Sequence, residues 1–308
     1  LTLLFLLFIA APAVVMIVGD KAMVSEGEKR RLAELERVQP TLKSLQSFPV
    51  KFEAYFNDHF GLRTTFVKLY SKIVVNVFRT SPQKLVVVGK KNWLYYTDDD
   101  EIAKFTGHRL FPEATFEEWK QILEDRQSWL AAQGIHYLFV VAPNKSTIYP
   151  EFLPDRIRAA KSTSALARFN AKLASPPAFT GAIDLQAELL AAKKNALLFH
   201  ESDTHWNLAG AYAAYQAIIA HLGQAFAGLQ PVPRAELTEK VEMLPGGDMA
   251  VMINLREQYA AANLAIGIPP NMAINPWQPM TEASTMKGAN NQKLRKASVK
   301  IGGRDSQQ

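Results

Sequence analysis

The chain of 308 residues, 48% of them hydrophobic, is long enough to bury a sizeable core in one or two domains. It has no cysteine, which excludes disulfides, thiolate catalysis and cysteine-ligated metals together. Its formal net charge of +6 admits an acidic partner, but Lys and Arg are scattered and no basic stripe interleaved with aromatics is evident, which argues against nucleic acid.

Residues 1–19 carry no charge, and nineteen such residues are about enough for one membrane crossing. No small-x-small cleavage site precedes Asp20, so the segment is expected to be a transmembrane anchor rather than a cleaved signal; Leu1 in place of Met reads as a clipped start. Lys21, Lys29, Arg30 and Arg31 follow it, and by the positive-inside rule they argue against an outside location for the body. Residues 20–47 are expected to be a membrane-proximal linker. Phe48, Phe52, Tyr55 and Phe56 share one face of a predicted helix that stops at Gly61. A second helix is predicted over 64–78, and a hairpin over 85–96 with Gly89 and Asn92 in its turn.

Helix and strand then alternate. Phe116, Trp119, Ile122, Leu123, Trp129 and Leu130 line a helix ending near Gly134, and residues 135–142 are an apolar run of strand length closed by Pro143-Asn144-Lys145. A helix over 163–173, a strand over 182–185, a short strand ending at His200 and a helix over 207–219 continue the pattern. This order predicts an α/β fold with a parallel sheet covered by helices on both faces, its sites lying beyond the C-terminal ends of the strands. After Pro231, prolines and glycines predict loop with a short helix near 250–262, and residues 256–308 are expected to be irregular.

Chemistry concentrates in Glu201-Ser-Asp-Thr-His-Trp-Asn207. An Asp two residues before a His can orient one imidazole nitrogen and leave the other to take a proton from a nucleophile. If the backbone is extended at 203–205, Asp203 and His205 point to one side with Cα atoms roughly 6–7 Å apart. Two other readings stand beside this one. Asp203 could cap the following helix while His205 packs or meets water, or His200, Glu201, Asp203 and His205 could supply metal ligands, although a bunched set rarely encloses an ion without a distant partner. Asn144 and Ser146 follow a strand exit. Asn144 offers its amide to a developing oxyanion or simply makes a turn. Ser146 lacks a Gly-x-Ser-x-Gly elbow, so capping is its default role. Trp206 offers a clamp for the imidazole, a face for a sugar ring, or plain packing.

Several motifs, in order, resemble the AlgX/AlgJ-like alginate O-acetyltransferase family, whose domain is SGNH-hydrolase-like. The matching pieces are Phe48-Pro-x-x-Phe52 through Gly61-Leu-Arg63, Gly89-Lys-Lys-Asn-Trp-Leu-Tyr95, Val141-Ala-Pro-Asn-Lys145 with Tyr149-Pro-Glu151, Asp203-Thr-His-Trp-Asn207 and Gly247-Asp-Met249. The resemblance implies an SGNH-like acetyltransferase domain over 48–255, on the periplasmic side of the inner membrane and anchored by the N-terminal helix. It implies acetyl transfer to an acidic exopolysaccharide, from a donor delivered by a membrane partner protein and with no metal or other cofactor. His205 would be the base, Asp203 its orienting acid, and Asn144, Lys145 and Trp206 substrate-binding residues. The family's nucleophile lies in a Gly-Asp-Ser-type block ahead of further sheet and helix, and Asp305-Ser306 is the partial match here, so Ser306 is the candidate nucleophile. That partial match reads either as a chain cut or frame-shifted near its end, or as a form without its nucleophile. The second case leaves a non-catalytic, membrane-anchored polysaccharide-binding or scaffold protein.

Overall fold

The computed structural model describes residues 1–19, 23–25, 30–35, 37–97, 101–108 and 111–267. The apolar N-terminus forms helix α1 (Thr2–Val18), of 17 residues. Among the described residues, no helix is long and apolar enough to cross a membrane; the segment expected as an anchor is helical. Two short strands, β1 (Val24–Ser25) and β2 (Arg30–Arg31), pair antiparallel where a linker was expected.

Helix α2 (Leu42–His59) starts earlier than the phenylalanine spacing predicts, because Thr41 accepts a hydrogen bond from the Ser44 N–H and caps it. The chain turns at Leu62, which adopts the left-handed φ of 65°. Gly61 follows the Phe60 cap, where the helix was expected to stop, and it also allows α1 to approach: a Cβ there would collide with the Pro12 carbonyl. Helix α3 (Arg63–Asn76) follows. Strands β3 (Val86–Val88) and β4 (Leu94–Tyr96) form the predicted hairpin, with Lys91 and Asn92 both at positive φ in its turn. Alternation along β4 joins two cores. Trp93 and Tyr95 pack with Ile148, Tyr149, Leu185, Leu189 and Leu198, whereas Leu94, wholly buried, faces Val75, Val86, Met249 and Ile253.

Helices α4 (Glu101–Phe105) and α5 (Glu113–Ala131) lead to β5 (Phe139–Val141). The short α6 (Lys145–Ile148), α7 (Asp155–Ala159) and α8 (Ala165–Ala174) precede β6 (Ala182–Asp184), which pairs parallel with β5. Among the described residues the expected parallel sheet is this pair alone. The predicted strand ending at His200 does not join it; Phe199 instead bridges antiparallel to Trp206. Helices α9 (Gln186–Ala192) and α10 (Leu208–Leu222) cover the pair, and Asn207 caps α10 by accepting from the Gly210 N–H. The expectation of loop after Pro231 is corrected by a ribbon. Strand β7 (Thr238–Leu244) pairs with β8 (Ala261–Gly267) over seven residue pairs, and α11 (Asp248–Met252) lies between them. Glu239, Lys240 and Glu242 mask the strand period in β7, but its partner ladder supplies the hydrogen bonds that the sequence pattern does not announce. One compact unit runs from Leu1 to Gly267 and takes in β8.

Candidate active site

The segment 198–207 folds back on itself: the Asn207 N–H donates to Leu198 O at 2.9 Å, and the His200 N–H to His205 O at 3.3 Å. Asp203 and His205 therefore sit in a tight bend rather than on an extended strand. Proximity comes from a different device than the one expected. Asp203 Oδ1 accepts from both the His205 backbone N–H (3.0 Å) and His205 Nδ1 (2.7 Å), so one carboxylate oxygen holds the backbone and ring of the same histidine. Asn207 rather than Asp203 caps α10, which removes the capping reading of Asp203. With Nδ1 protonated toward Asp203, Nε2 is the lone-pair nitrogen when the ring is neutral.

A second lock comes from a distant part of the chain. Asp203 Oδ2 accepts from the Asp248 N–H at 2.9 Å, and the Asp248 carboxylate accepts from the Thr204 N–H (2.9 Å) and hydroxyl (2.6 Å). The Ser202 hydroxyl accepts from the Gly247 N–H at 3.0 Å. Gly247 is in direct contact with the Asp203 side chain, and a Cβ there would lie 2.8 Å from Asp203 Cγ. Burial pushes the Asp203 carboxyl up, but donated hydrogen bonds from the His205 and Asp248 backbones and the His205 ring outweigh it and hold the group below the usual value. The Asp203 hydrogen bond raises the His205 imidazole above its ordinary value, against a smaller opposing effect of burial. The His205 side chain is 77% exposed and the Asp203 side chain 21%, so the acid is set in the wall and the base faces out. Asp203, His205 and Asp248 bring possible ligand atoms within 4.8 Å of one another. The carboxylate oxygens, however, are directed at N–H and O–H donors of this same turn, an arrangement that serves orientation.

Lys145 lines the same cavity as Asn144 and His205; it is 4% exposed, and its ammonium donates to His200 O (2.8 Å), Glu201 O (2.9 Å) and Asp203 O (3.0 Å). It also lies over the Trp93 ring at 5.1 Å and the Tyr95 ring at 5.3 Å. Burial pushes it down to about 7, against the pull of Asp203, Asp248, Glu101 and Glu201 toward the charged form. Lys145 is thus a strut under the loop that carries Asp203 and His205. Ser146 is buried and donates to Glu101 Oε1 at 2.5 Å, and burial raises the Glu101 carboxyl.

Asn144 and Trp206 line, with His205 and Lys145, a cavity of about 560 Å³ that is also walled by Thr204, Glu101, Lys104 and Tyr96. Asn144 is exposed and makes no cap hydrogen bond to α6, while Trp206 is half-buried with its body against the Trp93–Tyr95 core. Glu101 and Asp248 were not singled out from sequence as site residues. Gly247-Asp-Met249 was the one signal for the latter, and nothing local marks Glu101. Ser306 lies outside the described residues.

A family model described as an SGNH hydrolase-like domain, acetyltransferase AlgX, matches residues 86–286. The "Probable alginate O-acetylase AlgJ" of Pseudomonas syringae pv. tomato is 29% identical over 204 residues, covering 66% of this chain and 50% of that protein. Its namesake from Pseudomonas aeruginosa is 27% identical over 206 residues, with coverage of 66% and 50%. The chain thus spans about half the length of the curated relatives it matches. Among solved structures, the O-acetyltransferase domain of Pseudomonas putida AlgJ aligns with a TM-score of 0.40 and 23% identity, covering 59% of this chain and 63% of that one. Bacillus cereus PatB1 aligns with a TM-score of 0.39 and 17% identity, covering 52% and 50%.

Proposed function

Because the chain belongs to the AlgX/AlgJ-like family of SGNH hydrolase-like acetyltransferase domains, we propose that it transfers acetyl groups to hydroxyls of an acidic, alginate-like exopolysaccharide by serine acyl transfer. The carrying observation is the 2.7 Å contact between Asp203 Oδ1 and His205 Nδ1 beside a cavity that Asn144 also lines. In this reading His205 Nε2 takes the proton of a serine hydroxyl as the oxygen attacks the acetyl carbonyl. Asp203 keeps the ring in the required tautomer and stabilises the imidazolium. The Asn144 amide offers a donor to the tetrahedral oxyanion. His205 returns the proton to the leaving group as the acyl-serine forms; it then takes the proton of a sugar hydroxyl that attacks the acyl-serine and passes it to the serine oxygen as that bond breaks, so serine and neutral imidazole are regenerated. Ser306 is the candidate serine. The reading also places the protein at the periplasmic face of the inner membrane, receiving acetyl groups from a membrane partner; the family resemblance supports this.

A second reading is favoured by the positions of Ser146 and Ser202. Both are buried, and both are engaged, with Glu101 and with Gly247 respectively. In that reading the domain holds an acidic glycan without turning over acetyl. Release of a chromogenic phenol from an acetyl ester, followed with acetylation of an oligouronate by mass spectrometry, separates the two. Transfer that disappears in both His205→Ala and Ser306→Ala supports the enzyme. Oligouronate binding by a chain with no turnover, unchanged in His205→Ala, supports the binding role.

A further inference from the structure

The helical hairpin α2–α3 has an apolar face that the core does not use. On α2, Leu42, Leu45, Phe52 and Phe56 recur at helical spacing and are all exposed, from 40% for Phe56 to 79% for Leu42. On α3, Val74 and Val75 are the core-facing residues, yet Phe66, Leu69, Tyr70 and Ile73 form another stripe, 39–58% exposed. Ring contacts join the two stripes across the turn: Phe52–Phe56 at 6.3 Å, Phe56–Phe60 at 5.6 Å and Phe60–Phe66 at 6.4 Å. The same hairpin concentrates charge. Within residues 42–79, Lys43, Lys51, Arg63, Lys68, Lys72 and Arg79 stand against Glu53 and Asp58, a net +4 in a chain whose formal total is +6. Helix α1, uncharged and with its leucines and phenylalanines exposed, abuts the turn at Gly61 and extends the apolar surface.

We infer that the outer face of α2–α3 docks into the headgroup region of an anionic lipid bilayer, the helices lying along the surface rather than crossing it. Exposed Phe and Leu with Lys and Arg on the same helices are the composition of an interfacial amphipathic element, and the net +4 matches an anionic leaflet. A second copy of the chain is the poorer occupant, since a two-fold contact would bring two such positive hairpins together. An acidic polysaccharide would satisfy the cations but leave Leu42, Leu45, Leu69 and Ile73 facing a hydroxylated polymer that gives aliphatic carbon no cover. The inference does not rest on the acyl-transfer reading.

Flotation of the full chain with phosphatidylcholine vesicles, and with the same vesicles containing phosphatidylglycerol, tests it. Partition onto the anionic vesicles should exceed that onto neutral ones by about tenfold or more and fall as salt is raised. Phe52→Glu with Leu69→Glu should weaken anionic partition by about tenfold or more. Lys43→Gln with Lys72→Gln should remove most of the preference for phosphatidylglycerol while leaving neutral vesicles unaffected. All four positions are exposed, so melting curves should match wild type; if the first pair fails to fold, the lysine pair decides. Equal partition of the wild type onto both vesicles would overturn the inference, as would full binding by either variant. A dimer in sedimentation that the Phe52/Leu69 variant dissociates, with vesicle binding unchanged, would give the face to a second copy instead.

Discussion

Replacing Gly247 with alanine tests whether the distant 245–248 turn holds the Asp203–His205 pair. The backbone at Gly247, φ −74° and ψ −164°, is open to alanine, so strain enters only through the added carbon. That carbon would stand 2.8 Å from Asp203 Cγ and closer to Cβ and Oδ2. Ordinary contact begins at about 3.4 Å, so the carboxylate must retreat by roughly 0.6 Å or more. The Asp248 N–H to Oδ2 bond at 2.9 Å and the Nδ1 to Oδ1 bond at 2.7 Å would then lengthen or break. Overpacking of this kind costs about 1–3 kcal/mol, a fall in Tm of roughly 2–10 °C for a domain of this size. Misplacing a base by about 1 Å costs on the order of 10²-fold in rate. Because hydrogen bonding to Asp203 is what raises the His205 imidazole, its NMR titration midpoint should fall toward the ordinary value of about 6.5. The assay is that titration, assigned with His205→Ala, together with acetyl-ester turnover. A Gly247→Ala protein with a wild-type His205 midpoint and wild-type turnover would refute the reasoning, whatever its Tm.

Asp203→Asn should lower turnover by about 10³-fold or more and shift the pH-rate profile. With a raised His205, activity in wild type should rise with pH through a midpoint above about 6.5, and in the variant that midpoint should move down. The linked stability effects have opposite signs. The His205 contribution is present below its unfolded value and lost as pH rises through the raised folded value, whereas the Asp203 contribution is present above its unfolded value and lost as pH falls through the depressed folded one; pH-dependent melts of wild type, Asp203→Asn and His205→Ala read both. Lys145→Met removes the ammonium from three part-buried carbonyls, of which Glu201 O keeps the Leu94 N–H; the other two lose their donor at about 1–3 kcal/mol each, offset in part by no longer burying an ammonium. A net loss of about 2 kcal/mol is expected, with amide exchange protection lost first around 198–207. Leu94→Ala, at a wholly buried position between two cores, should cost about 2–5 kcal/mol in denaturant unfolding without altering the His205 titration.

Periodicity placed the helices over α3, α5, α8 and α10 and the β3–β4 hairpin, because each buries one stripe or closes through a local turn that its own residues specify. The Asp-x-His pair was legible for the same reason: two residues apart, Asp203 and His205 meet by short-range geometry whether the backbone is extended or bent, although only the fold showed it to be bent. The family motifs likewise lie in plain order along the chain, so membership followed from sequence. Other features depend on residues far apart and had no local signal. The clamp of Asp203 Oδ2 by the Asp248 N–H spans 45 residues, and the bond from Lys145 to the Asp203 carbonyl spans 58. The sequence places Lys145 beside a strand exit, and only the fold shows its ammonium holding three carbonyls of the 200–203 loop. The β7–β8 ribbon was missed because three charged residues hide its alternation and its stability lies in the partner strand. Length and polarity of each segment are properties of the chain itself, whereas which donor reaches which acceptor is decided only when the elements pack, and at this site that decision sets the tautomer, charge and exposure of His205.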